Sequence, residues 1–146
     1  MIITTAQLLV IVAYVGYIYK KYGVLTSISA SSYRVGYWFY LWLLVLGGLN
    51  LAQGMEGWGF ATTAGLAFSG ITIDHESSGA HQDKVHYTGT VLAIVSAFVG
   101  LIVLHGMWLP TVLFLIGVGL LYKRKNFIWE IEIVAFTLII ASYYIK

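Results

Sequence analysis

The sequence predicts an all-α fold, a polytopic membrane protein built as a compact bundle of six transmembrane helices, and three observations carry that expectation. Charge is too scarce for a water-facing surface: 60% of the 146 residues are hydrophobic and 10% are charged, against about 25% charged in a soluble globular domain. The apolar residues gather into runs of membrane-spanning or near-spanning length. The basic residues fall on alternate connections between those runs.

A bilayer core of about 30 Å asks for about 20 apolar residues per helix, fewer at the lower limit. The first run, at about 3–19, has no positive leader and ends on Lys20-Lys21 instead of a small-residue cleavage site, so it reads as a retained helix and not as a signal peptide. The second spans about 35–52. The third, about 58–73, is short and rich in small residues. The fourth covers about 85–106. The fifth, about 107–122, carries Pro110 in its first turn, where a missing N–H costs little. The sixth runs over about 127–144. All six form one domain, 1–146.

A five-helix alternative, with the third run re-entrant, is tested by charge. With six helices, the connections after the first, third and fifth share one side and hold Lys20, Lys21, Arg34, Lys84, Lys123, Arg124 and Lys125; Lys146 alone lies opposite. The positive-inside rule then places these loops in the cytoplasm, with both termini outside a bacterial inner membrane. Five helices would split the basic residues. Aromatic residues from Tyr14 through Trp129, Tyr143 and Tyr144 cluster near helix ends and read as an interfacial anchoring belt.

In lipid, helices associate by close backbone approach at small residues. Ala61, Gly65 and Ser69 in the third run and Gly89, Ala93 and Ala97 in the fourth repeat at i, i+4, i+8, so these stripes should face each other. Gly47-Gly48 and Gly117/Gly119 offer further points of approach.

The chemistry concentrates between the third and fourth runs. Asp74, His75, Glu76, His81, Asp83 and His86 fall within thirteen residues, and the predicted topology adds Glu130 and Glu132 from the start of the sixth run on the same side. His86 continues the small stripe of the fourth helix and should point into the bundle. Glu130 and Glu132 lie two positions apart, about 200° around a helix, so only one can face inward. The smaller, more polar stripe through Val134, Thr137 and Ala141 belongs to Glu130, and Glu130 is expected inside, paired with His86. His75, His81 and His86, with a neighbouring acid, have ligand chemistry suited to zinc, although their spacing matches no zinc signature. The alternatives are a titrating His/acid gate and a solvated loop with a structural His86.

Elsewhere, Asn50 and Gln53 are expected as interhelical hydrogen bonders and His105 as a helix-end residue. Ser27, Ser29, Ser31 and Ser32 form no nucleophile elbow. The absence of cysteine excludes disulfides and thiolate chemistry. A net charge of +2 gives no footing for nucleic acid. Every lysine lies at a predicted helix end, which counts against a retinal Schiff base.

The segments Ser29-Ala30-Ser31-Ser32-Tyr33, Gly65-Leu66-Ala67-Phe68-Ser69-Gly70, Val85-His86-Tyr87-Thr88-Gly89-Thr90 and Phe127-Ile128-Trp129-Glu130 resemble those of small bacterial six-helix multi-pass membrane proteins. The layout is loosely similar to families of the autophagy-modulator type and to a multi-pass family known by a domain of unknown function. The resemblance implies architecture and carries no activity. Function is therefore expected to be a non-enzymatic module that binds or conducts a small solute, ion or lipid through the cytoplasmic-side His/acid cluster, within the lipid bilayer and as a homo-oligomer if it forms a pore. The alternatives are an intramembrane metal-dependent or lipid-modifying enzyme and a scaffold or accessory subunit.

Overall fold

The computed structural model describes residues 1–54, 56–71 and 80–145, with the backbone alone for 56, 70, 71 and 80–84. Among the described residues all regular structure is helical. Six long helices follow one another: α1 (Ile2–Tyr22), α2 (Tyr37–Ala52), α3 (Glu56–Ile71), α4 (Ala80–His105), α5 (Leu109–Leu121) and α6 (Phe127–Ile145). A 3₁₀ turn at Ser29–Ser31 and a one-turn helix at Ser32–Val35 interrupt the connection between α1 and α2.

Boundaries differ from expectation where glycine or proline intervenes. The second run does not begin helically at 35, because Gly36 takes φ 53°, a left-handed conformation that suits glycine and separates the short helix from α2. Gly106, at φ 64°, ends α4, and Pro110 then sits in the first turn of α5. The α4 helix starts five residues earlier than expected, at Ala80. The far end of the third run, at residues 72 and 73, lies outside the described residues.

The expectation of six spans is met in part. Among the described residues three helices are long and apolar enough to cross a membrane, over Ile2–Tyr22, Val85–His105 and Phe127–Ile145. Tyr37–Ala52 and Leu109–Leu121 are apolar but have 16 and 13 residues, which reach about 24 and 20 Å.

The tightest packing joins α3 to α4. A Cβ placed on Gly65 would lie 2.5 Å from the Ala93 backbone nitrogen and 2.6 Å from the Gly89 carbonyl oxygen. One on Gly89 would lie 2.7 Å from Ser69 N and 2.8 Å from Gly65 O. The two expected stripes thus meet backbone to backbone, with Thr62–Ser96 at 2.9 Å and Ser69–Thr90 at 3.0 Å sharing hydroxyl hydrogen bonds across the seam. Between α2 and α3, Gly47 makes room for the Thr63 side chain, whose methyl would lie 2.8 Å from an added Cβ and whose hydroxyl donates to the Gly47 carbonyl at 3.0 Å. Gly48 and Gly119 face open space.

The other side of the bundle is spaced by large residues. Phe39, Trp42, Leu43 and Leu46 of α2 pack with Ile18 of α1, Ile28 of the connection and Trp129 of α6. Tyr14 stacks on Trp42 with ring centroids 4.2 Å apart. Tyr14, Trp129 and Tyr143 therefore belong to the interior and not to an interfacial belt, since the last two are buried and the first is held by Trp42 and Ser31. The α5 helix packs on the outside of α6, and its Phe114 reaches Phe98 of α4 at 4.9 Å between centroids.

Candidate functional site

Between the tight seam and the aromatic side lies a chamber of about 90 Å³, lined from α1, α2, α3, α4, α6 and the α1–α2 connection. Its walls are mostly carbon: Ile11, Phe39, Leu43, Leu66, Ala93, Ala97 and Phe136 among others. Polar side chains sit at its two ends.

One end is held by Glu132. This carboxylate is 8% exposed and lines the chamber with Ser29. The Ile28 backbone N–H donates to its Oε2 at 2.5 Å, and among the described residues this is the single hydrogen bond to the carboxylate and no cation pairs with it. The connection that delivers Ile28 is built by its serines. Ser27 Oγ accepts the Ala30 N–H at 2.9 Å, Ser31 Oγ donates to Ile28 O, and Ser31 shares a 2.6 Å hydrogen bond with the Tyr14 hydroxyl. Ile28 and Ser31 are consequently buried. The serine-rich stretch is a structural device that folds the connection inward and aims one N–H at Glu132.

The opposite end is an amide and hydroxyl cluster. Asn50 Nδ2 donates to Gly59 O at 3.0 Å, and the Tyr143 hydroxyl donates to Asn50 Oδ1 at 3.2 Å. Gln53 Nε2 donates to Thr4 Oγ1 at 3.0 Å and to Gln7 Oε1 at 2.8 Å. Asn50 and Gln53 thus tie α2 to α1, α3 and α6, as expected of interhelical hydrogen bonders. Tyr143 stands eleven residues after Glu132 on α6, about 16 Å along the axis, so the two polar ends are three helical turns apart.

Glu130 does not occupy the inward position the sequence assigns to it. Its carboxylate meets Arg124 at 3.0 Å, with the side chain 26% exposed and Arg124 at 62%. The assignment reverses because the stripe facing the chamber is Glu132, Ala135, Phe136, Ile139, Ile140 and Tyr143, an i, i+3, i+4 pattern in which every residue but Ala135 is large. The smaller stripe through Glu130 faces away from it. Small side chains mark close helix contact, but a cavity needs large ones to hold its walls apart.

The expected His86–Glu130 pair does not form. His86 Nδ1 donates to the Ser69 carbonyl of α3 at 2.8 Å, while Glu130 turns to Arg124. His86 thus joins the α3–α4 seam, one turn before Thr90, whose hydroxyl donates to the His86 carbonyl at 3.0 Å. Asp74, His75 and Glu76 lie outside the described residues, as do the side chains of His81 and Asp83. Among the described residues no group of three His, Asp or Glu side chains could hold a metal ion.

Glu132 is the residue that sequence reasoning missed as the inward acid. A usable signal was present: its stripe ends in Tyr143, whose hydroxyl needs a partner at depth, and Asn50 offers one. No protein-family model, curated protein or solved structure matches this chain.

Proposed function

We propose that the chain is an integral membrane protein of six spans that takes a small solute into its central chamber, with Glu132 as the polar anchor. The observation that carries this reading is the carboxylate itself. Capping one backbone N–H asks only for an amide oxygen, which a glutamine would supply at a far smaller desolvation cost. An ionised carboxylate enclosed by carbon is costly unless a counter-charge joins it, and an ionisable residue within a membrane bundle points to function by default. The chamber beside it gives that counter-charge or polar group room.

Six spans are supported by the basic residues, which gather on alternate connections only in that arrangement, and by the lateral surface. Leu9, Val12, Leu41, Val45, Phe60, Val95, Val103, Leu115 and Leu120 are all exposed, a surface suited to lipid tails. Helices α2, α3 and α5 are short, and local thinning accommodates short spans at a fraction of a kcal/mol per Å. The binding site moves from the histidine-rich connection to Glu132, and the non-enzymatic character of the module is kept.

The cysteine-free sequence supplies a clean test. Single cysteines at Lys21, Lys84 and Lys125 should react with a membrane-impermeant maleimide only from the cytoplasmic side, and one at Gln53 only from the outside. Cysteines replacing Ala93 and Ala97, which line the chamber, should react with a small methanethiosulfonate reagent in intact membranes. Silent chamber cysteines in a folded protein would remove the solute-binding reading, and Lys21 and Lys125 reacting from opposite sides would remove the six-span topology.

A further inference from the structure

We propose that the chamber binds a small organic monocation, an alkylammonium ion, with the Glu132 carboxylate as counter-charge and the rings of Phe39, Trp42 and Phe136 as its apolar wall. The inference rests on the reading that the chamber takes a solute, and it names the class of that solute.

Charge selects the sign. Glu132 is 8% exposed, and among the described residues its one hydrogen-bond partner is a neutral backbone N–H and no basic side chain lies in salt-bridge range. The ionised carboxylate repels an anion and gains a counter-charge from a cation, whereas a neutral solute leaves it to take up a proton or stay desolvated without compensation. The wall then selects an organic cation over a divalent metal. Calcium and magnesium gather six or more oxygen ligands, whereas Glu132 is the one carboxylate on this wall, its other oxygens are hydroxyls and amides such as those of Ser29, Thr90 and Asn50, and most of the lining presents carbon.

Aromatic geometry strengthens the choice. Trp42 stands at the centre of a ring cluster, 5.8 Å from Phe39 and 5.9 Å from Phe136 between centroids, tilted to the first and edge-on to the second. All three rings line the chamber, and Phe136 lies one helical turn from Glu132. Tryptophan is the strongest partner for a cation among the aromatic side chains, and desolvation raises the value of the contact. Methyl groups on the cation fit the carbon walls, while its N–H groups can meet Glu132. Size sets the upper limit: about 90 Å³ is less than the roughly 150 Å³ of an engineered apolar cavity that accepts benzene. The ligand is therefore smaller than benzene, on the scale of isopropylammonium.

Isothermal titration calorimetry on the purified full chain in nanodiscs tests this with isopropylammonium chloride, its neutral isostere isopropanol, and sodium chloride. The expected result is one isopropylammonium per chain, with isopropanol at least about tenfold weaker and no competition by sodium at equal concentration. Glu132→Gln should weaken the ammonium at least about tenfold without changing the weak isopropanol response. Trp42→Phe, which keeps a ring, should weaken it about threefold and serves if the glutamine variant fails to fold. Equal binding of isopropanol and ammonium, or sodium competing on equal terms, would overturn the organic-cation class and leave the solute-binding chamber standing. No binding of either organic probe to the folded wild-type chain, together with silent chamber cysteines, would overturn both.

Discussion

The α3–α4 seam and the Glu132 chamber lie side by side and are packed on opposite principles. At the seam, Gly65 and Gly89 let two backbones touch, leaving no room for a single added carbon. In the chamber, Phe39, Trp42, Ile139 and Phe136 hold the helices apart around about 90 Å³ of space. Ala93 belongs to both, since its backbone abuts Gly65 and it also lines the chamber. The rigid half of the bundle thus fixes one wall of the open half. A membrane protein has little hydrophobic drive between its helices, so a cavity is sustained only if another contact is close enough to hold the bundle together.

That contrast is most sharply broken at Gly65. Gly65→Ala should cost about 3 kcal/mol, the upper range for overpacking, because the atoms its Cβ would meet are backbone and cannot rotate away. Gly48→Ala is the matched control: its Cβ would meet nothing within 4 Å, so the change should be neutral or stabilise by up to about 0.8 kcal/mol through helix propensity. Unfolding in mixed micelles titrated with a denaturing detergent measures both, and equal losses would contradict the seam.

The next effect concerns the folded connection. Glu132→Ala should leave the Ile28 N–H buried without an acceptor, at about 1–3 kcal/mol, and should speed hydrogen exchange of the Ile28 amide. Glu132→Gln should keep that amide protected, since an amide oxygen still accepts. Unchanged exchange in Glu132→Ala would show that the carboxylate is not what holds the connection in.

At the far end of the chamber, Tyr143→Phe removes one hydrogen bond to Asn50 and should cost about 0.6 kcal/mol, the average for an interhelical hydrogen bond in a membrane bundle. The smallest effect belongs to the surface pair. Arg124→Ala should change stability by less than about 1 kcal/mol and leave alkylammonium binding unaltered; a loss of binding there would return Glu130 to the site.

How much of this is legible in the sequence depends on which physical signal each feature leaves. The seam is readable because Gly65 and Gly89 are conspicuous at four-residue spacing among small residues, and few contacts other than backbone approach use that pattern. Asn50 and Gln53 are readable because amides at depth must find partners. The choice between Glu130 and Glu132 is not readable from hydropathy: in a helix apolar enough to cross a membrane, both faces are apolar, and the large stripe through Phe136 and Ile139 looks like a lipid face. The inward fold of residues 23–36 is also hidden, since serines in a loop look solvated until Ser27 and Ser31 are seen bonding to backbone. Helix number survives less securely than helix type, because 13 to 16 apolar residues fall between a buried helix and a short span.

The orientation of two acids on α6 is the claim on which the account turns, and differential carbodiimide labelling of the membrane-embedded chain tests it directly. Peptide mapping by mass spectrometry should find the apolar dicyclohexylcarbodiimide on Glu132, reduced by isopropylammonium, and a water-soluble carbodiimide with an added amine on Glu130. The reverse pattern, with Glu130 labelled from the apolar phase and Glu132 from water, would contradict the account.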